Sequence, residues 1–283
     1  MLISRKELDQ LSADVRKIVD GQAIDLRNNL EGRLSILKND IHTLAGRLHN
    51  QAAILQSDKE RLAGTLADIS HQLKTPLTAM SVMIDLLEGA PQEKQAEFIT
   101  NIKQGLTQTN WLVNSLLKMA KLESGTVQFS LKTVQACELV TLATNPLKIL
   151  LDIKDQTINF VGESAIHCDA NWTAEALTNI VKNASEYSPE GSTISITAGE
   201  NPICKYISIT DAGVGVPQEK LRSIFHRFGS DSSNTGSTGI GLPLAKAIMR
   251  GQVGDIEVDG GGKGKGATFT LKFFKITETG GFL

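Results

Sequence analysis

The chain contains one histidine whose helix position and neighbours suit it to act as a nucleophile. His71 lies two residues from Ile69 and two from Leu73, about 200° around a helix from each of these apolar positions, so its imidazole is predicted to face solvent. Lys74 and Thr75 follow one turn later on the same face. A neutral imidazole offers a lone pair at pH 7, although a histidine with such neighbours is more often an ordinary solvated surface residue.

Two asparagines four residues apart suggest a site for a hard cation. Asn179 and Asn183 share one face of a predicted helix that also carries Tyr187. Asparagine is disfavoured inside helices because its amide competes with the backbone. One interpretation is a surface or local capping role. The other is that the amide oxygen of Asn183 binds Mg²⁺ beside phosphates, since this ion prefers oxygen ligands.

Two glycine-containing turns could bring a ligand close to the backbone. Asp211 ends a predicted strand and leads into Gly213 and Gly215. The absence of a Cβ there lets a ligand approach the backbone, and the carboxylate can accept a hydrogen bond from an amine. Gly239 and Gly241 precede a predicted helix, whose N-terminus attracts anions. Either turn alone is also what a simple hairpin or helix cap requires.

The part of the chain before Gly125 is predicted to be helical almost throughout. Apolar residues recur every seven positions, which is typical of a coiled coil, at Leu34, Ile41, Leu48, Leu55, Leu62 and Ile69. The companion apolar positions change phase along this run. The segment is therefore either a plain dimerisation helix or a transmission rod with two registers of similar energy.

Two antiparallel helices follow, each with one apolar stripe. The first is predicted to end at Gly89–Pro91 and the second to stop before Ser124. Two such helices cannot bury both stripes alone, whereas two chains can do so in a four-helix bundle. The sequence therefore predicts a homodimer.

Beyond this point strand and helix patterns alternate, which predicts an α+β domain. The predicted strands are Thr126–Ser130, Thr157–Val161, Thr193–Thr197, Tyr206–Thr210, Ile256–Val258 and Thr268–Phe274. The predicted helices are Val134–Lys154, Trp172–Tyr187, Gln218–Phe225 and Leu242–Arg250. The intervening Gly229–Thr238 contains no apolar side chain and is predicted to be a mobile loop.

Composition excludes several functional classes. The 283 residues carry a formal net charge of -2, without the basic excess expected of a protein that binds nucleic acid. The longest apolar run, Ala52–Leu55, is far shorter than the roughly 20 residues of a membrane span, and no secretory signal is predicted. Three widely spaced cysteines predict reduced thiols in the cytoplasm, and the five histidines form no ligand pair for a metal.

Taken in order, these segments resemble the motifs of the sensor histidine kinases of two-component systems over residues 60–275. The resemblance is carried by Asp68–Leu77 (phosphoacceptor box), Asn179–Ala184 with Tyr187 (N box), Asp211–Gly215 (first glycine box), Ile224–Phe228 (F box), Gly239–Leu242 (second glycine box) and Gly264–Phe269 (last strand). Their fixed order makes a chance match negligible.

The resemblance implies a multi-domain α and α+β architecture. An N-terminal coiled coil and a dimeric four-helix bundle would precede an α/β sandwich ATP-binding domain of the Bergerat type. ATP and Mg²⁺ are the implied cofactors: Asp211 would read the adenine amine, Tyr187 would flank the base and Arg227 would approach the γ-phosphate. The other implied nucleotide-binding residues are Asn179, Lys182, Asn183 (also the Mg²⁺ ligand), Gly213, Gly215, Gly239, Gly241, Leu242 and Thr268.

The same resemblance makes His71 the phosphate acceptor and a response regulator the partner whose aspartate receives the phosphoryl group. The implied catalytic set is His71, Gln72, Lys74 and Thr75. Thr75 resembles the residue that orients water to dephosphorylate the regulator, which predicts a phosphatase activity, with a plain surface threonine as the alternative. Gln72 replaces the usual acidic residue and predicts slow autophosphorylation, because an amide cannot take a proton. Glu186 replaces a basic residue commonly found near the phosphates, and Lys182 is the candidate substitute.

The expected domains are a HAMP-like and coiled-coil linker (1–60), a dimerisation and phosphotransfer hairpin (61–124) and a catalytic ATP-binding domain (125–283). The linker resemblance is the weakest and rests on Leu8, Leu11, Val15, Ile18 and Val19 before Asp20–Gly21. Relatives of this layout usually carry transmembrane helices upstream, so the expectation is the cytoplasmic portion of a membrane-anchored sensor, with a soluble kinase as the alternative. The alternatives are another ATPase of the GHKL class and a degenerate kinase that acts as a dimeric scaffold.

Overall fold

The computed structural model describes residues 5–19, 33–228, 239–262 and 265–275. The chain divides into two units, Met1–Ile69 and Ser70–Leu283. The predicted loop Gly229–Thr238, the Asp20–Gly21 pair and Gly264 lie outside the described residues. None of the described helices combines the length and apolar composition needed to cross a membrane.

The first unit contains helix α1 (Arg5–Val19) and the N-terminal part of α2 (Arg33–Leu87). The predicted coiled-coil positions Leu48, Leu55 and Leu62 are 57%, 69% and 60% exposed along α2. An unpaired coiled-coil seam leaves its leucines in water in this way, because they are buried only when a second helix packs against them. The prediction of a coiled coil is consistent with this exposure.

The second unit begins with a helical hairpin made by the rest of α2 and by α3 (Gln92–Glu123). Helix α2 continues through Pro76 and ends just before Gly89, as predicted. The two helices pack closely where Gly105 faces Met80: a Cβ on Gly105 would lie 2.8 Å from the Met80 Cγ atom. This contact fixes the register of the hairpin.

An α/β domain follows, in which one layer of helices covers one face of a five-stranded sheet. The strand order is β2-β4-β5-β7-β6, formed by β2 (Thr157–Val161), β4 (Thr193–Glu200), β5 (Cys204–Thr210), β7 (Thr268–Phe274) and β6 (Gly254–Asp259). β2 pairs parallel to β4, and the other three pairs are antiparallel. A separate two-stranded sheet joins β1 (Lys132–Gln135) to β3 (Ala165–Cys168).

The helices of this domain are α4 (Ala136–Thr144), α5 (Lys148–Ile153), α6 (Ala170–Tyr187) and α7 (Gly241–Gly251). The core between helices and sheet is apolar and closed to water; its fully buried members include Leu177, Ile180, Ile207, Ile209, Leu244, Ile248, Phe269 and Leu271. Alternate residues of β4 and β7, and Ile207 and Ile209 of β5, belong to this core. Full burial of each such side chain contributes about 1.5–3 kcal/mol.

Several sequence predictions of local structure were wrong. Thr126–Ser130 forms no strand; the strand is the later β1, because its partner β3 pairs only with Lys132–Gln135. The helix predicted at Val134–Lys154 begins after β1 and is interrupted by a 3₁₀ turn at Asn145–Leu147. Gln218–Phe225 forms successive turns instead of an α-helix.

Candidate active site

Helix α6 carries the two asparagines, and its start is fixed by a side-chain cap. The Oδ1 atom of Asp169 accepts hydrogen bonds from the backbone N–H groups of Asn171 and Trp172, each at 3.1 Å. Its Oδ2 atom accepts a third from the N–H of Ser130 at 2.8 Å. These bonds satisfy donors that a helix N-terminus otherwise leaves unpaired, so Asp169 sets where α6 begins.

The two asparagines have different environments. Asn179 is 7% exposed, and its amide nitrogen donates to the carbonyl of Glu175 at 2.9 Å. Its Oδ1 atom lies 3.0 Å from where a Cβ on Gly241 would be, so the absence of a side chain at Gly241 lets α7 start beside α6. Asn183 lies one turn further and is partly buried, and its amide forms no hydrogen bond within the described residues. The Asn183 oxygen is thus available to a ligand; the Asn179 oxygen also accepts no hydrogen bond within the described residues, but that residue is more deeply buried.

Asp211 joins the ends of two neighbouring strands. Its Oδ1 atom accepts hydrogen bonds from the N–H groups of Gly213 at 2.8 Å and Ala267 at 3.0 Å, and its own N–H donates to the Ala267 carbonyl at 3.0 Å. The side chain is 7% exposed. Since Oδ1 is occupied twice, Oδ2 is the atom that can accept a hydrogen bond from a ligand.

The turn after Asp211 requires glycine for steric reasons. A Cβ on Gly213 would lie 2.6 Å from the Tyr187 carbonyl oxygen. Gly215 has φ +76°, and a Cβ there would lie 2.4 Å from the Gly262 carbonyl oxygen. The turn therefore packs directly against the end of α6 and the segment before β7. Tyr187, whose carbonyl makes this contact, is 39% exposed.

The second glycine turn leads into α7. Gly239 has φ +65°, and its carbonyl accepts a hydrogen bond from the Phe228 N–H at 3.1 Å. Gly241 is the first residue of α7, and Leu242 is partly buried against the core. The first N–H groups of α7 are available to an anion here, as at other helix N-termini.

Thr268 occupies a structural position near this turn. Its hydroxyl lies 2.9 Å from the hydroxyl of Thr210 across the β5–β7 pair. The Thr268 hydroxyl is therefore engaged in a hydrogen bond in which either oxygen can be the donor, one residue along the chain from Ala267, the backbone partner of Asp211.

Lys182, the candidate substitute for the missing basic residue near the phosphates, already interacts with two side chains of the protein. The Lys182 ammonium lies 4.8 Å from the centre of the Trp111 ring and 3.8 Å from a Glu186 carboxylate oxygen. Burial raises the pKa of Glu186 above its ordinary value, and the positive charges of Lys182 and Lys154 partly oppose this shift. Lys182 is thus a link between α6 and α3.

Arg227 is also bound to α3. Its Nη2 atom donates to a carboxylate oxygen of Glu123, the last residue of α3. The Arg227 side chain is 26% exposed and that of Glu123 is 55% exposed. The guanidinium expected near phosphates is therefore paired with a carboxylate in this structure.

His71 is exposed on α2, as predicted. The Thr75 hydroxyl donates to the backbone carbonyl of His71 at 3.1 Å, which places the two residues on one side of the helix. Lys74 is exposed and Gln72 is partly buried. From the Met80–Gly105 contact, the antiparallel register puts His71 level with Asn114 of α3.

Sequence reasoning missed Trp111, Lys118 and Glu123, because they meet partners far along the chain and no local pattern marks them. Lys118 pairs with Glu175 at 2.8 Å. One signal was available: Leu112, Met119 and Leu122 form a second apolar stripe on α3 at spacings of seven and three. That stripe packs on the α/β domain.

Two family models match the chain. Residues 61–125 match the His Kinase A (phospho-acceptor) domain, and residues 168–277 match the histidine kinase-, DNA gyrase B- and HSP90-like ATPase domain. The first contains His71, and the second contains both glycine turns.

The chain is also similar to named proteins. The chain is 33% identical over 228 residues to sensor histidine kinase WalK of Bacillus subtilis, covering 75% of this chain and 37% of WalK. It is 25% identical to the signal transduction histidine-protein kinase/phosphatase MprB of a Mycobacterium species, covering 76% of this chain and 44% of MprB. The chain thus spans less than half the length of either relative.

A solved structure shares the fold. The histidine kinase ThkA, in complex with the response regulator protein TrrA, superposes with a TM-score of 0.60 at 20% identity, covering 80% of this chain and 64% of that one. The helical hairpin followed by a mixed α/β ATPase domain is common to both. From the order of its two domains and its similarity to WalK, the chain belongs to the sensor histidine kinases of two-component systems.

Proposed function

We propose that this chain is an ATP-dependent histidine autokinase that phosphorylates His71 and passes the phosphoryl group to an aspartate of a response regulator. The observation that carries the proposal is that one chain contains both an exposed His71 on a helical hairpin and, in its α/β domain, a buried Asp211 whose second oxygen is available to a ligand. A binding module alone has no use for the exposed imidazole.

Asp211 is the residue we assign to adenine. With Oδ1 held by two backbone donors, Oδ2 accepts a hydrogen bond from the exocyclic amine, and the base packs beside the exposed Tyr187 ring. Gly213 and Gly215 keep the floor of the site free of side chains. Gly239, Gly241 and the start of α7 lie where a helix N-terminus stabilises phosphate charge.

Asn183 is the proposed Mg²⁺ ligand. Its amide oxygen accepts no hydrogen bond within the described residues, and Asn183 is less buried than Asn179, whose amide nitrogen donates to its own helix. An amide oxygen suits this hard cation, which keeps several waters. When bound, Mg²⁺ neutralises part of the phosphate charge.

The transfer step needs little beyond positioning and charge stabilisation. The lone pair of the His71 Nε2 atom forms a bond to the γ-phosphorus, and the bond from that phosphorus to the bridging oxygen breaks, so that ADP leaves with the electron pair. The ring then loses its Nδ1 proton to solvent. Gln72 accepts a hydrogen bond from that N–H and fixes the tautomer, but it cannot take the proton. This is the reason we expect a slow reaction.

Two further roles belong to the proposal. Thr75 orients water for dephosphorylation of the partner regulator; its hydroxyl lies one turn from His71, and the kinase/phosphatase MprB is among the relatives.

A second copy of the chain completes the four-helix bundle, since the hairpin leaves a row of apolar side chains exposed: Leu77, Ile84, Ile99 and Leu106. The domain boundaries 1–60, 61–124 and 125–283 remain part of this proposal.

Incubation with γ-labelled ATP tests the central claim. We expect acid-labile, alkali-stable label on the parent chain and none on His71→Ala, because phosphohistidine is the predicted product. His167→Ala is the matched control, since His167 is exposed on β3 away from the site, and it keeps the label. ATP hydrolysis without label on His71 would instead support the GHKL ATPase alternative. Nucleotide binding with neither label nor hydrolysis would support a scaffold.

A further inference from the structure

Helix α3 holds the α/β domain through a seam that is separate from the exposed row on the hairpin. Leu112, Ser115 and Met119 are only 1%, 2% and 2% exposed, and Leu112 and Met119 belong to the same core as α6 and α7. Leu122 approaches Gly251 at the end of α7. The α/β domain is therefore docked on the C-terminal half of α3.

Charged contacts flank this seam, and they engage the cations of the nucleotide site. Lys182 lies over the Trp111 ring, and Arg227 is paired with Glu123. A third contact, Lys118 with Glu175, uses no site residue. Arg227 is the side chain that the family resemblance places at the γ-phosphate, and in the docked arrangement its guanidinium is bound to a carboxylate instead.

The docked position is offset along α3 from the acceptor. Counting from the Met80–Gly105 contact, His71 is level with Asn114, and Glu123 lies further along α3 by about 14 Å at 1.5 Å per residue. Attack requires the reacting atoms to be within about 3–3.5 Å. Movement of the α/β domain along α3 would reduce this offset.

We propose that Glu123 is a latch that competes with the γ-phosphate for Arg227. In the absence of nucleotide its carboxylate holds Arg227 and helps to keep the α/β domain docked low on α3. A triphosphate and the carboxylate carry like charges, so binding of the γ-phosphate displaces Glu123 and loosens the domain for movement toward His71. The inference rests on the proposed function and on the role at the γ-phosphate that the family resemblance implies for Arg227.

The pair is well suited to be broken by a ligand. Glu123 is more than half exposed, and exposed ion pairs shift an equilibrium only about two- to fivefold. The apolar seam contributes the rest of the docking, so loss of the pair loosens the contact without unfolding either part.

Glu123→Gln tests the latch, with Glu97→Gln near the other end of α3 as the matched control. Affinity for a non-hydrolysable ATP analogue and for ADP is measured by titration calorimetry, and the rate of His71 labelling at saturating ATP is measured in parallel. Glu123→Gln is expected to bind the ATP analogue about two- to fivefold more tightly than the parent, to bind ADP equally, and to label His71 faster. Glu97→Gln behaves as the parent.

Unchanged affinity of Glu123→Gln for the ATP analogue would overturn the latch, and so would an equal gain for ADP. In an Arg227→Ala background the Glu123→Gln substitution is expected to leave the affinity for the ATP analogue unchanged. A gain in that affinity that persists without Arg227 would also overturn the latch. If neither the parent nor any variant labels His71, the autokinase proposal is wrong. The latch is decided separately, by the change in affinity for the ATP analogue relative to the change in affinity for ADP.

Discussion

At the scale of single residues, the site depends on atoms with divided tasks. Asp211 uses one carboxylate oxygen to join β5 to β7 and leaves the other for a ligand. Glu186 is a charged group in a place that penalises charge, and Lys182 and Lys154 only partly compensate. Replacing Asp211 by its amide is therefore expected to weaken nucleotide binding, whereas replacing Glu186 by its amide is expected to raise the stability of the fold.

Asp211→Asn is expected to separate binding from folding. The amide oxygen can still accept from Gly213 and Ala267, but an NH₂ group replaces the oxygen that we assign to adenine. Loss of a hydrogen bond to a charged group costs about 1.5–3 kcal/mol, so ADP affinity is expected to fall roughly 10- to 100-fold. Calorimetric titration checks this, with the melting temperature as control; a large drop in melting temperature would show that the side chain is mainly structural.

Glu186→Gln is expected to stabilise the protein at neutral pH. Because burial raises the pKa of Glu186 above 4.5, the folded state holds its proton more tightly than the unfolded chain, and this contribution to stability is lost as pH rises through the folded-state pKa. The neutral amide avoids that loss. The gain in melting temperature should therefore be larger at pH 8 than at pH 4. An equal gain at both pH values would contradict the assigned cause.

At the scale of elements, the placement of α6 decides the geometry of the site. Asp169 caps the helix and also binds the N–H of Ser130, and its own N–H donates to the Gln252 side chain at 2.6 Å. One residue thus connects the start of α6, the segment after α3 and the end of α7.

Asp169→Ala is expected to destabilise the α/β domain by about 2 kcal/mol, the upper range for loss of an N-cap, because a third backbone donor also loses its partner. Asp169→Asn keeps an oxygen for the cap and should lose less. Urea unfolding of both variants measures the difference. Equal losses would mean that the negative charge matters more than the capping geometry.

The sequence was informative where one local pattern decides the structure. Alternating residues in β7 and the long apolar stripe of α6 gave those elements nearly to the residue, and the motifs placed Asp211 and His71 in their elements. It was uninformative where a distant partner decides. The strand β1 forms because β3 pairs with it. The apolar residues of Gln218–Phe225 are carried by successive turns, and their spacing alone does not distinguish turns from a helix. The Arg227–Glu123 pair joins residues 104 positions apart, which no spacing rule connects.

At the scale of the whole molecule, α3 presents two apolar faces with different partners. The face containing Leu112 and Met119 is buried against the α/β domain. The other face, with Leu106, Val113 and Leu117, stays 52%, 39% and 56% exposed in the single chain. A helix that is apolar on two sides needs two neighbours, and the second copy of the hairpin that we propose would supply the missing one.

Leu106→Asp is expected to convert the dimer to monomer, because a carboxylate would be placed in the centre of the four-helix bundle without a partner. In the single chain the same position is half exposed, so each monomer keeps its fold. Gln104→Asp adds the same charge on the neighbouring, solvent-facing part of α3 and should remain dimeric. Sedimentation equilibrium distinguishes the two. A dimeric Leu106→Asp would mean that the chains pair elsewhere, and the coiled-coil leucines Leu48, Leu55 and Leu62 would then be the next face to test.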